Sequence, residues 1–284
     1  MPRLPSSALL ASTLLLAAPA PPARAADAGA LFGAESRFQG AVASDGVPAG
    51  FLAFLADSAV VLSPEPRPAR ALYEALADDG ARLVWRPDVG TLAAAGDFGW
   101  TSGPWLRFTA GATVAGEAGY FFTVWRRNAG GDWQVILDAG AAYPLPAADR
   151  DRHLSVTARS RPAGGGLRDV ASCDERFTDE WRTRGRARAL KDFAARDLRL
   201  LHAGRAPVDA RPGADDAPDA PLAAARITRR LASAAGDLVV AYGVYEYGAT
   251  AERGRARESF ALAFDAGHDC RLALEIRLPA DPSR

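Results

Sequence analysis

A carboxylate held among apolar side chains takes up a proton near neutral pH and can then act as a general acid or base. Two aspartates stand at places where that could happen, each after a glycine at the head of a strand-like run: Gly96-Asp97-Phe98-Gly99-Trp100-Thr101-Ser102-Gly103-Pro104-Trp105 and Gly236-Asp237-Leu238-Val239-Val240-Ala241-Tyr242-Gly243-Val244-Tyr245. In both runs a glycine returns seven positions after the first, and an aromatic follows two later. The competing reading of Asp97 and Asp237 is an aspartate that orders a turn by accepting backbone N–H bonds. Asp138 and Glu275 end later strand-like runs, where acids are usually solvated or paired with arginine. His202 reads as a loop histidine, with acid–base work as the alternative. Ser63 and Ser102 have no His or Asp in the context of a nucleophile elbow, so a hydrolase triad is not supported.

Trp85, Trp100, Trp105, Trp125 and Trp133 crowd the first half of the chain. Aromatics can hold a hydrophobic or ring-shaped ligand by burial and stacking, or can simply fill a core. Trp85, Asp97, Trp100, Trp105 and Trp125 are the ligand-binding candidates; Asp97 and His202 are the catalytic ones. Cys173 and Cys270 with His153, His202 and His268 show no metal-ligand spacing, so no metal is expected. No phosphate loop, dinucleotide fingerprint or nucleic-acid motif occurs, and no cofactor is expected.

These residues must be positioned by elements that the spacing suggests. Asp27 fits an N-cap for a helix through Leu31, Phe32, Phe38 and Val42, stopped at Gly46. Pro48 opens a second short helix, Ala59 to Leu62 reads as a strand, and a third helix runs from about Ala69 to Ala77. Period-two runs follow at Arg82–Arg86, Thr91–Trp100, Gly119–Arg126 and Trp133–Asp138. Helices followed by an antiparallel sheet make an α+β domain. The programme then recurs: Phe38, Gly46, Phe54 and Leu62 match Phe177, Gly185, Phe193 and Leu201 at an offset of 139, the Gly-Asp runs match at 140, and Leu137-Asp138 matches Leu274-Glu275 at 137. An ordered series of this kind indicates two tandem copies. Residues 143–170, rich in Pro and Gly, read as a linker between domains at 26–142 and 171–284, with a strand near His153–Arg159 as an option. Residues 202–221 read as a long exposed loop.

Basic and acidic residues balance at 34 each, so no global field draws nucleic acid or an anionic membrane. Met1-Pro2-Arg3, the apolar stretch Ala8–Ala18 and Ala23-Arg24-Ala25 have the three parts of a secretory signal peptide, residues 1–25. The expected location is periplasmic or secreted, where Cys173 and Cys270 could pair as a disulfide or stay as separate buried thiols.

The order of three helices and a sheet, with the Gly96–Trp105 run, Tyr120–Trp125 and Trp133-Gln134-Val135-Ile136-Leu137-Asp138, resembles the SnoaL-like and ketosteroid-isomerase-like domains of the nuclear transport factor 2-like superfamily. It covers residues 28–142 and, more weakly, 171–278. The resemblance implies tandem cone-shaped α+β barrels, each with three N-terminal helices packed on a curved antiparallel sheet around an apolar cavity. It also implies pairing through outer sheet faces, here as an internal pseudo-dimer. The isomerase chemistry does not carry over: in Ala56-Asp57-Ser58-Ala59-Val60-Val61-Leu62-Ser63-Pro64, Ser63 stands where the family has its Asp base, and Phe38 and Phe177 fall near its oxyanion-holding Tyr. The leading expectation is an exported protein that binds a small hydrophobic or aromatic ligand without strong catalysis. An isomerase, cyclase or dehydratase, and a structural or protein-interaction module, are the alternatives.

Overall fold

The computed structural model describes residues 28–162, 172–210, 221–249, 256–265 and 269–280. Asp27, His268 and the expected signal peptide lie outside them. The chain is α+β with two mixed sheets, neither closed into a barrel. Helices α1 (Gly29–Asp45), α2 (Val47–Phe54) and α3 (Ala69–Ala75) accompany an eight-stranded sheet of β1 (Leu55–Leu62), β2 (Pro66–Pro68), β3 (Arg82–Trp85), β4 (Val89–Leu92), β5 (Phe98–Phe108), β6 (Glu117–Arg127), β7 (Trp133–Ala142) and β8 (Arg159–Pro162). Gly46, at φ 85°, ends α1 and leads into α2, which has a proline in its first turn. Between β7 and β8 runs α4 (Ala147–His153). The second sheet holds β9 (Ala194–His202), β10 (Val208–Ala210), β11 (Leu222–Ala232), β12 (Leu238–Tyr247), β13 (Ala256–Asp265) and β14 (Arg271–Pro279), with α5 (Cys173–Arg184) and α6 (Arg186–Phe193) before it.

Several expectations need correction. Neither sheet is purely antiparallel, because β1 runs parallel to β7, β4 to β8, and β9 to β14. Two helices, not three, precede the second sheet among the described residues; β10 takes up part of the expected loop. Thr91–Trp100 is not one strand: β4 and β5 are separated by a turn at 93–97, with Gly96 at φ 69°. The segment read as linker carries α4 and β8, and β8 joins the first sheet beside β4.

The recurring second glycine has a steric cause. A Cβ on Gly103 would lie 1.9 Å from the Arg86 carbonyl oxygen, and one on Gly243 would lie 1.9 Å from that of Arg226. Both strands approach a neighbouring backbone too closely for a side chain.

Each sheet has two working faces. One face packs on its own helices: Leu31, Phe38, Phe51, Trp85 and Trp125 in the first half, Phe177, Trp181, Leu190 and Phe264 in the second. The other faces meet each other in one apolar cluster, Phe98, Trp100 and Phe122 from the first sheet with Leu238, Val240 and Ile276 from the second. Bulges shape this division. The pairing shifts between Val124 and Trp125, so Ile136 and Leu137 both face the other sheet and Asp138 turns inward. A shift between Ala263 and Phe264 likewise sends Ala273 and Leu274 outward and Glu275 inward.

Polar bonds pin the rim of this seam. Arg199, 4% exposed, donates to both carboxylate oxygens of Asp88, at 2.5 and 3.0 Å, and to Asp209 at 2.8 Å. The two Gly-Asp turns clasp each other: the Ala94 N–H donates to Asp237 at 2.7 Å, and the Ala234 N–H donates to Asp97 at 2.9 Å. Asp237 is buried and also accepts from Ser233 Oγ at 2.6 Å. Cys173 and Cys270 form a disulfide bond that ties the start of α5 to the residue before β14. Asp237→Ala, which leaves Ser233 and the Ala94 N–H unsatisfied, should cost about 1–3 kcal/mol. Asp97→Ala, at a more exposed site, should cost less; urea denaturation of the two variants measures both.

Candidate active site

The sequence reading missed Glu35. On α1 it continues the buried stripe Leu31, Phe38 and Val42, an acid at the one stripe position where helical spacing asks for an apolar residue. It is 1% exposed. Three donors meet its carboxylate: Trp85 Nε1 at 2.6 Å, Thr101 Oγ1 at 2.5 Å and Trp125 Nε1 at 3.1 Å. Trp125 Nε1 also lies 3.0 Å from Thr101 Oγ1. Burial pushes the Glu35 carboxyl up to about 7, against the lowering effect of the bonds from Thr101 and Trp85. The nearby Asp138 carboxylate pushes the same way.

Asp138 is the second inward acid. The ladder pairs Thr101 with Thr123 and Thr123 with Asp138, giving one polar row across the inner face, and Thr123 Oγ1 donates to Asp138 at 2.8 Å. Burial raises Asp138 to about 6, the Thr123 bond opposing it. Tyr73, stacked on Phe51 at 4.3 Å, is held protonated by burial and by the Asp138 charge. Unlike Glu35, Asp138 is only half-buried, and Gly140, two residues on, is exposed. Two carboxyls with pKa values near neutrality on one aromatic-walled face form an acid–base arrangement.

The tryptophan candidates divide. Trp85 and Trp125 meet at Glu35, packing edge-on around Phe38 at 5.0 and 6.0 Å. Both are buried, at 4% and 0% exposed, in the cluster that packs on α1. Trp105 is half-buried on the same face, its ring lying where Cβ atoms on Gly119 and Gly140 would be, at 2.5 and 3.5 Å. Trp100 points the other way, into the cluster between the sheets, and does not line the interior. Asp97 belongs to the clasp between the Gly-Asp turns, remote from this row. His202 ends β9 with Nε2 3.4 Å from Glu275. Among the described residues no group of three or more His, Cys, Asp or Glu side chains could hold a metal ion.

The second half carries acids at the matching places and neutralises both. Asp174, 139 positions after Glu35, is fully buried and receives a two-pronged bond from Arg230 at 2.8 and 2.9 Å. Glu275, also fully buried, is gripped by Arg186. Burial alone would raise Glu275, but the charge of Arg186 and the bond from His202 hold it well below the usual carboxylate range. Glu275 is thus a fixed anion, whereas Glu35 and Asp138 can exchange protons near neutral pH.

Two outcomes follow. The fold favours protonated Glu35, so its stabilising contribution is complete below the ordinary value of 4.5, falls as pH rises and is gone above about 7. Across that window the native chain should lose about 3 kcal/mol relative to Glu35→Gln, which keeps the shape and an acceptor for the indoles. Parallel stability curves from pH 4 to 8 would contradict this. Arg186→Met strands a buried anion and should cost about 3–5 kcal/mol, most of it recovered in the Arg186→Met/Glu275→Leu double variant. Denaturation midpoints report both.

No family model matches the chain, and no similar curated protein was found. Among solved structures it is similar to a conserved protein from Planctomyces limnophilus, at 17% identity and a TM-score of 0.34, over 41% of this chain and 95% of that one. It is similar to a putative SnoaL-like polyketide cyclase from Mesorhizobium loti at 11% identity and a TM-score of 0.26, over 39% and 98%. An NTF2-like protein with a cystatin-like fold from Novosphingobium aromaticivorans gives 16% identity and a TM-score of 0.30, over 43% and 84%.

Proposed function

We propose that the chain is an exported small-molecule-binding protein of two tandem nuclear transport factor 2-like domains joined as an internal pseudo-dimer, and that its first domain performs acid–base chemistry with Asp138. The recurrence of element order and the shared apolar cluster support the tandem reading. No helix among the described residues is long and apolar enough to cross a membrane. The observation that carries the catalytic part is Asp138: inward, half-buried, bonded to Thr123 and raised to about 6.

Such a group is present in both protonation states at neutral pH, as proton shuttling requires. The reaction class is proton transfer at a carbon or oxygen next to a carbonyl, as in isomerisation, cyclisation or dehydration. Asp138 takes the proton or returns it. Glu35 stays sealed behind its three donors and does not touch the substrate. The aromatic surroundings favour a ring-shaped, mostly apolar substrate. The interaction-module reading finds little support, since the exposed large apolar side chains among the described residues, Leu76, Val114 and Val208, stand on separate segments.

Small cyclic ketones in D2O, with exchange of the α-hydrogens followed by proton NMR, test the proposal. At least one should exchange faster with the native chain, and Asp138→Asn should slow it by about 100-fold while binding persists. Exchange unchanged in Asp138→Asn, or no acceleration by the native chain across the panel, would overturn it.

A further inference from the structure

Outside the polar row, a cleft of about 730 Å³ opens between the first turns of α1 and the hairpin joining β6 to β7. That volume is ordinary for a small-molecule site. Gly29, Ala30 and Gly33 form one wall with almost no side-chain bulk, Phe54 and Trp133 supply aromatic surface, and Arg37, Arg127, Asn128, Asp132 and Gln134 supply the polar groups.

The two arginines give the cleft its character. Arg37 folds back along α1, its Nη1 3.6 Å from where a Gly33 Cβ would lie. Arg127 is fixed: Nε donates to the Gly96 carbonyl at 3.0 Å, Nη1 to that of Gly131 at 2.5 Å, and the guanidinium lies 4.4 Å above the Trp133 ring. Its Nη2 hydrogens are not used in those bonds. Both arginines are exposed, and among the described residues neither has an ion-pair partner. Asp132 offsets one positive charge, so the charged lining sums to two minus one. Trp133 is 7% exposed, and its indole N–H finds no acceptor within the protein.

We propose that this cleft binds a small organic carboxylate with a flat ring. The carboxylate lies between the guanidinium groups of Arg37 and Arg127, where charge-assisted bonds are strongest. The ring lies against Phe54 and Trp133, and Asp132 accepts from a hydroxyl on the ligand. Because Arg127 is already held by two carbonyls and a ring, little ordering is left for binding to impose.

4-Hydroxybenzoate is the probe, titrated into the full chain and followed by amide and indole chemical shifts, with 4-hydroxybenzyl alcohol as the neutral counterpart. Shifts should centre on Gly33, Gly131, Gln134 and the Trp133 indole. Arg37→Gln, an exposed substitution that leaves folding intact, should weaken binding by about tenfold or more, and so should the neutral probe. Asp138→Asn should leave the titration unchanged, which separates this site from the acid–base row. The inference is overturned if no shifts occur at these residues up to about 20 mM. It is equally overturned if the alcohol binds as well as the carboxylate, or if Arg37→Gln has no effect.

Discussion

The apolar seam between the two sheets is the constraint on which the remaining structure depends. Phe98, Trp100 and Phe122 cannot face water in bulk, and the second sheet offers Leu238, Val240 and Ile276 against them. Once these faces are joined, the opposite faces must look away from each other toward their helices. Each half thereby acquires an interior. The ionic and clasp contacts at the rim act on geometry more than on driving force, since they fix which strands lie opposite which.

The two interiors differ in what surrounds their inward acids. In the first half, neutral donors surround both inward acids: two indoles and a threonine at Glu35, a threonine at Asp138. A neutral donor moderates the cost of burial without cancelling it, so the proton affinity stays high. In the second half guanidinium groups stand in those places, paired with Glu275 and Asp174, and the charge of Arg186 keeps Glu275 an anion. Glu275 is held as a charge, whereas Glu35 and Asp138 are raised toward neutrality.

Much of the fold was legible because helices and strands obey simple periods. The stripe Leu31, Phe38, Val42 marked α1, and Gly46 and Pro48 marked the break before α2. The site was less legible for two physical reasons. Asp138 faces inward only because Ile136 is an extra residue in its strand, and strict alternation from Val135 would have sent it outward. The Gly-Asp motif drew attention because it is repeated, yet it repeats for mutual contact across the seam. Glu35 did leave a signal, an acid inside an apolar stripe with an acid 139 residues later, but its three donors come from β3, β5 and β6 and no local pattern joins them.

The strand β8 follows the first sheet in the chain yet runs beside β4, and the Ser160 hydroxyl accepts from the Ala28 N–H at the entrance to α1. The described part of the join, which carries α4 and β8, is therefore not a free tether. A cut placed after β7, where composition suggests a boundary, would strip the first sheet of an edge strand and the first helix of an anchor. Residues 147–162 act as a strap that closes the first half on itself.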